Sequence, residues 1–401
     1  MAVALSLFGC KGDTGKTTNN NSGKKQQQQG QGQAQNSPVV DHSNDMRSYL
    51  TGEWVSKDVG NKRPAAVMIS NQPEAPSPSG IGEAKVIYEA PAEGNYSTRL
   101  MGIFEDWEKI EKIGSIRSCR NCYVYSMLEF DAIYVHAGQS MPALELVQSN
   151  YVDNISTMDK DFNDVFFQTT DLQKPHNTFT SGEGILSGAN SRGYNLSHST
   201  EYKGKFVFNE DDGNRVSIND GETATYVYPG FSINRPWFQY NSSDGKYYRY
   251  QYKKGEVEKH VDAVTNQQLS VDNIILQYCD FSNYLWEGEE TLYWNIAQKG
   301  SGKGKYITDG KAMDITWKKT SEFGITHYYD SKGKELTLNQ GKTWVCLVNN
   351  AMLKHVIISS KDESETNKPS YSGVTTTEST EAEEDNNDNG ELVQENAVVE
   401  Y

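Results

Sequence analysis

No stretch of the chain is apolar over the roughly 18 positions that a membrane-crossing helix needs, so no segment spans a bilayer in that form. Hydrophobic residues are scarce overall. They make up 36%, below the roughly 45–50% of ordinary globular chains, a range that also counts Gly. Mean hydropathy is −0.72. Polar, disordered ends diluting a normal core account for both values. Positive charge is in deficit: 38 Lys and Arg face 54 Asp and Glu, for a net charge of −16. That balance excludes a nucleic-acid partner held by bulk charge. Familiar catalytic signatures are missing too. There is no Gly-x-Ser-x-Gly elbow and no His-Glu-x-x-His zinc helix. Gly15-Lys16-Thr17 ends like a phosphate-binding loop, but that pattern needs Gly where Cys10 stands. Asp159, Asp161 and Asn163 imitate the start of a calcium loop, yet Asp164 replaces its Gly and Thr170 its closing Glu. No metal and no cofactor is expected. There is no internal repeat.

What remains is unevenly spread. The 401 residues suit two folded domains plus tails, at roughly 100–200 residues per domain. Residues 361–401 hold 12 Asp and Glu against two Lys, a net of −10. Such a segment cannot bury enough surface to offset its ordering entropy and reads as a disordered acidic tail. The body from 46 to 360 then carries an ordinary solubility charge.

The chain opens with seven apolar residues among its first eight, ending in Leu7-Phe8-Gly9-Cys10. This has the form of a bacterial lipobox, whose Cys becomes lipid-modified. The apolar stretch is short and no basic lead precedes it, which points to a start upstream or to a trimmed chain. Residues 1–10 thus read as a signal-peptide remnant, and residues 11–45 as a disordered Gln/Asn/Gly tether. One acylated Cys10 would hold a soluble body at a bacterial cell membrane, on its extracytoplasmic face, with the tether giving reach. Of the other four cysteines, Cys119 and Cys122 have C-x-x-C spacing. Two ordinary thiols, a local disulfide and a metal site are all compatible with that spacing.

Four apolar β-runs come next: Ala65–Ile69, Lys85–Glu89, Leu100–Phe104 and Asp131–His136. Their consecutive apolar residues suit strands covered on both faces. Between the last two, residues 118–130 have helical spacing. After His136, Ser140 is placed to cap another helix, with Pro142 in its first turn. This makes residues 46–200 an α/β domain with a mixed, partly parallel sheet. The stretch 71–80 holds Pro73, Pro76 and Pro78, a loop long enough to cover something. From residue 201 to 360 the pattern becomes mostly antiparallel β, with turns at Asp212-Gly213, Asp220-Gly221, Asp244-Gly245, Asp309-Gly310 and Lys332-Gly333. Gly300-Ser-Gly-Lys-Gly304 reads as a flexible loop.

Several stretches carry a family resemblance. They are Lys62–Ile69, Ile87–Gly94, Thr98-Arg99, Ile113–Arg120 and Phe130–Gly138, then Gln268–Ile275, Asp309–Met313, Thr316–Lys319 and Gly341–Trp344. In order and spacing the chain resembles the YerB family, lipoproteins with a paired domain of unknown function, DUF3048. The resemblance covers residues 62 to about 350. It implies an anchored envelope protein with N- and C-terminal YerB domains, and no established activity.

In an open α/β sheet, ligands sit beyond the carboxyl ends of the strands. Glu89 and Glu93 follow the second run. Arg117, Ser118 and Arg120 lead into a helix that Ser118 would cap, and His136, Gly138 and Ser140 lead into the next. Helix starts and guanidinium groups favour anions. Arg99, His176 and Asn177 complete the expected ligand-binding set. Three functional readings are open. The first is a binding protein for an anionic envelope ligand or partner. The second is an envelope hydrolase of a glycan or phosphodiester, with His136 as acid/base and Glu89 or Glu93 as its partner. The third is an interaction scaffold that meets an envelope protein through the Tyr- and Trp-rich β domain.

Overall fold

The computed structural model describes residues 41–369, apart from 95–96 and 161–163. Cys10, most of the tether and the acidic tail beyond residue 369 lie outside the described residues, as does the centre of the calcium-like stretch. Three helices frame the sheet that positions the site: α1 (Asn121–Met127), α2 (Met141–Val147) and α3 (Gly182–Arg192). Eleven strands form that sheet, the largest: β1 (Ala65–Asn71), β2 (Val86–Pro91), β3 (Thr98–Phe104), β4 (Ile133–His136), β5 (Asn154–Ser156), β6 (Glu222–Thr223), β7 (Asn273–Cys279), β8 (Gly300–Thr308), β9 (Lys311–Lys319), β10 (His327–Tyr329) and β11 (Thr343–Asn349). Their order is β6-β9-β8-β7-β11-β2-β3-β1-β4-β5, with β10 paired to β9.

The first half is α/β with a mixed sheet, and the second is mostly antiparallel β, as the sequence predicts. Residues on both sides of position 200 share this one sheet, because β11 sits between β7 and β2 and runs parallel to both. β3 is antiparallel to β2 and to β1, while β4 and β5 continue parallel to β1. Strands β1, β2, β4, β5, β7 and β11 therefore all run one way. Their carboxyl ends form a single edge.

The consecutive apolar runs are explained by burial on two faces. Ala65, Val67, Ile69, Ile274 and Trp344 join one core, while Ala66, Met68, Met101, Ile275 and Val345 join another. Helix α1 covers the second face through Tyr123, Val124 and Met127. On the first face α3 contributes Ile185 and Ala189. An antiparallel second sheet, centred on Trp237–Asn241 and Lys246–Lys253, packs farther along that face, with Phe238 edge-on to Trp344 at 5.3 Å.

Two local expectations fail. Gly300–Gly304 is not a loop but the start of β8, paired with β9 from Gly300↔Lys319 onward. These glycines serve close approach: a Cβ on Gly302 would meet the Trp317 indole at 2.5 Å. Ser118 does not cap α1, which starts at Asn121 with Arg120 in the cap position. Ser140 does occupy the N-cap of α2, with Pro142 in its first turn. The Asp309-Gly310 turn joins β8 to β9 with positive φ at both residues, the hairpin geometry that such a pair favours. Helix α3 is one the sequence pattern does not announce, although Ser181 caps it and Gly193 ends it in the left-handed region.

One carboxylate ties distant segments together. Buried Glu129 accepts hydrogen bonds from Lys205, from Lys319 at 2.7 Å and from the Thr326 amide and hydroxyl at 3.0 and 2.9 Å. The Tyr88, Phe130, Phe206 and Tyr328 rings surround the Lys205 ammonium at 5.5–6.0 Å. Glu129→Gln would leave two buried ammonium groups without a counter-charge. It is expected to destabilise the fold by about 3–5 kcal/mol. Urea unfolding checks this, and a loss below about 1 kcal/mol would show that the cluster is solvated.

Candidate functional site

The shared carboxyl edge brings some predicted residues together and separates others. Glu93, just past β2, pairs with Arg99 on β3 at 2.9 Å and with Arg120 at the start of α1. Both arginines are buried. Arg99 also donates to the Ser118 carbonyl at 2.6 Å, so Ser118 serves through its backbone. Burial lowers both guanidinium groups, Arg120 to about 10. The Arg120 guanidinium stacks 5.3 Å from the Tyr293 ring. Arg117 is separate: it is half-buried and donates to the Pro175 carbonyl at 3.3 Å, beside His176. Asn177 is buried nearby, and its Oδ1 has no hydrogen-bond partner among the described residues.

His136 ends β4 at the same edge but is fully buried. Its Nδ1 donates to the Gly138 carbonyl at 2.7 Å, and its Nε2 faces Asn154 Oδ1 at 3.2 Å. Gly138 adopts φ +69° to present that carbonyl, which also accepts from the Cys119 amide. Burial holds the imidazole below its ordinary value against the pull of these contacts. The Ser140 hydroxyl is buried without a partner. Cys119, Cys122, Cys279 and Cys346 are buried free thiols. Burial pushes Cys119 up, and Cys122 up to about 12, so neither is a ready thiolate.

Glu89 does not partner His136. Along β2, Tyr88 and Ala90 face the α1 side, so Glu89 points to the opposite face. There it is fully buried, accepting from Arg249 at 2.8 Å, Thr98 at 2.7 Å, Asn71 at 3.3 Å and the Trp344 indole at 3.0 Å. Arg249 lies over the Trp344 ring at 4.3 Å and donates from Nε to His260 Nδ1 at 3.1 Å. Arginine can only donate, so His260 accepts here and carries its proton on Nε2. The sequence reading missed Arg249 and His260. Its signal was register: Arg249 is in phase with buried Tyr247 and Gln251 on one strand. The proline loop at 71–80 roofs a small polar chamber, where Ser70, Gln251 and His260 come together. Ser70 Oγ and Gln251 Oε1 are buried there without a protein partner, an arrangement that suits an ordered water.

A larger cleft opens at the carboxyl edge of β2 and β11. It is a small recess open to solvent. Pro91, Phe231, Phe281 and Trp294 give it apolar walls, and Ser97, Thr98 and Asn349 give it polar points. Phe281 and Trp294 belong to a hairpin, Phe281–Trp286 and Glu289–Ile296, that stands apart from both sheets. The Trp294 indole N–H donates to the Gly94 carbonyl at 2.5 Å and pins the hairpin over the turn after β2. Thr98 also bonds Glu89, so the cleft rests on the buried ion pair.

Comparison with known proteins agrees with this architecture. Two family models match, the N-terminal domain of a protein of unknown function (DUF3048) over residues 50–195 and its C-terminal domain over residues 225–345. A Bacillus subtilis protein named "Putative lipoprotein YerB" is 28% identical over 320 residues, covering 78% of this chain and 89% of that protein. The crystal structure of Bacillus subtilis YerB superposes with a TM-score of 0.65 at 26% identity, over 78% of this chain and 99% of that one. The chain belongs to the DUF3048 family.

His260 generates a pH test. Burial, then the Arg249 charge, lowers its proton affinity well below the ordinary 6.5. Unfolding would therefore take up a proton as pH falls through about 6.5, so stability present above that pH is lost below it. Between pH 6.5 and 5, unfolding free energy is expected to fall more steeply for the wild type than for His260→Asn, by up to about 1.4 kcal/mol per pH unit. Equal slopes in urea titrations would show that the folded protein protonates His260.

Proposed function

We propose that this DUF3048-family chain is a lipid-anchored binding protein on the extracytoplasmic face of a bacterial membrane, and that it holds its ligand in the cleft beside Trp294 without turning it over. Anchoring rests on the Leu-Phe-Gly-Cys10 sequence, the polar tether and the similarity to a protein named as a lipoprotein. No helix among the described residues is long and apolar enough to cross a membrane. The cleft carries the binding reading: an amphipathic recess at the carboxyl edge of parallel strands, walled by a separate hairpin.

Turnover has little support among the candidate residues for it. A general acid or base must reach the substrate. His136 is fully buried, Glu89 is matched by Arg249, and Glu93 is matched by Arg99 and Arg120. The anion reading is narrowed by the same pairing, since the two buried arginines share the one Glu93 carboxylate and keep a single positive charge in excess. A partner-protein reading is favoured by one feature, the hairpin tip, where Leu285 is 60% and Trp286 43% exposed.

The test is a thermal-shift screen of the full chain against solubilised envelope fractions. Ligand binding to the folded state raises the melting temperature by mass action. A rise of several degrees is expected, and Met352→Trp, which fills the cleft from its rim, should abolish it. No rise from any fraction would remove the small-ligand reading. Cys10→Ser should move the protein from the membrane to the soluble fraction, and an unchanged distribution would remove the anchor.

A further inference from the structure

The cleft also has a chemical character that narrows its ligand. None of the described residues lining it is charged. A full charge taken from water into such a recess would lose its hydration without a counter-charge, which is strongly unfavourable. Anionic phosphates, carboxylates and ammonium groups are therefore poor occupants. An entirely apolar ligand fits no better. Ser97 is 3% exposed, and its hydroxyl has no hydrogen-bond partner among the described residues. A buried hydroxyl left unpaired is costly, so the occupant should bring a polar group to it.

The aromatic walls set a shape. Phe281 and Trp294 meet edge to face at 5.8 Å. The Trp294 N–H is already spent on Gly94, so the ring contributes its apolar face rather than a donor. Asn349 accepts from the Ala351 amide at 3.0 Å, which fixes its carboxamide in the lining. A ring with one apolar face and a hydroxyl-bearing edge satisfies all of these features together. We infer that the cleft takes an uncharged saccharide, its C–H face on Trp294 and its hydroxyl or acetamido edge toward Ser97 and Asn349. This rests on the binding reading above and gives that ligand a neutral class.

The experiment is calorimetric titration of the full chain with four probes: an N-acetylglucosamine tetramer, maltotetraose, a glycerol-phosphate oligomer and an uncharged hexapeptide. Either neutral sugar should bind. Trp294→Ala should weaken that binding at least about tenfold, and Trp294→Phe, which keeps an aromatic face and the fold, by less. Met352→Trp should block it, with circular dichroism confirming that the variant is folded. Binding of the phosphate oligomer or the peptide instead, blocked by Met352→Trp, would overturn the saccharide and leave the cleft as a binding site. Sugar binding insensitive to Trp294→Ala and Met352→Trp would overturn its placement here. No binding by any probe, together with no thermal shift from envelope fractions, would remove the binding reading as well.

Discussion

The insertion of β11 between β7 and β2 governs most of what this molecule can do. A parallel pair cannot be closed by a short turn, so the chain must travel far between its members. Here the strands that meet at the seam come from opposite ends of the folded region, Val86–Pro91 and Thr343–Asn349. Neither half has a finished sheet without the other. Central strands of such a sheet are buried on both faces, and the alternating partition of Ile274 and Ile275, or Trp344 and Val345, between two cores shows this directly. The same parallel alignment collects six carboxyl ends on one edge. The recess beside Trp294, the Glu93 ion pairs and the buried His136 all sit along that edge because of it.

Two buried charge clusters depend on the seam, one on each face. Glu89 and Arg249 join the large sheet to the second sheet, and Glu129 joins the end of α1 to Lys205 and Lys319. Hydrophobic replacements of similar size often match or exceed such pairs in stability. What the pairs supply is register. Glu89 has four hydrogen-bonding partners, and they fix where Asn71, Thr98, Trp344 and Arg249 lie relative to one another. Thr98 lines the cleft, and Asn71 lines the polar chamber under the proline loop. One carboxylate thus sets the floor of one recess and a wall of the other.

Much of this was legible in the sequence, for a definite reason. Two-sided burial writes itself as consecutive apolar residues, so β1 to β4 could be read directly. The tight Asp309-Gly310 hairpin announced itself by residue type. Glycine misled where packing rather than flexibility required it. Gly302 is small because Trp317 lies against it, a contact between strands that local pattern does not record. Helix α3 was hidden by its four glycines, Gly182, Gly184, Gly188 and the terminal Gly193, which look like loop. Sequence put Glu89, Glu93 and His136 toward the carboxyl ends of their strands, where the structure has them. It could not assign faces across strands of different origin, so Glu89 and His136 were paired although they lie on opposite sides of the sheet. Arg249 was missed because its carboxylate partner, Glu89, is 160 residues away, and His260 was missed with it because it bonds Arg249.

That misassignment bears on chemistry. Charged residues near a strand edge suggest catalysis or anion binding only while their partners are unknown. Once the partners are seen, Glu93 bridges Arg99 and Arg120, and Glu89 pairs with Arg249. Those side chains hold one another in place, two guanidinium groups sharing one carboxylate in the first set. The surface left for a ligand is what those pairs hold in place: aromatic faces, one buried hydroxyl and one carboxamide, with no net charge. A protein with a strongly acidic composition can thus present a neutral recess, because most of its net charge lies in residues 361–401, none of which is among the described residues lining the cleft. Net charge describes how this chain behaves in solvent, and the lining of the cleft describes what it can recognise.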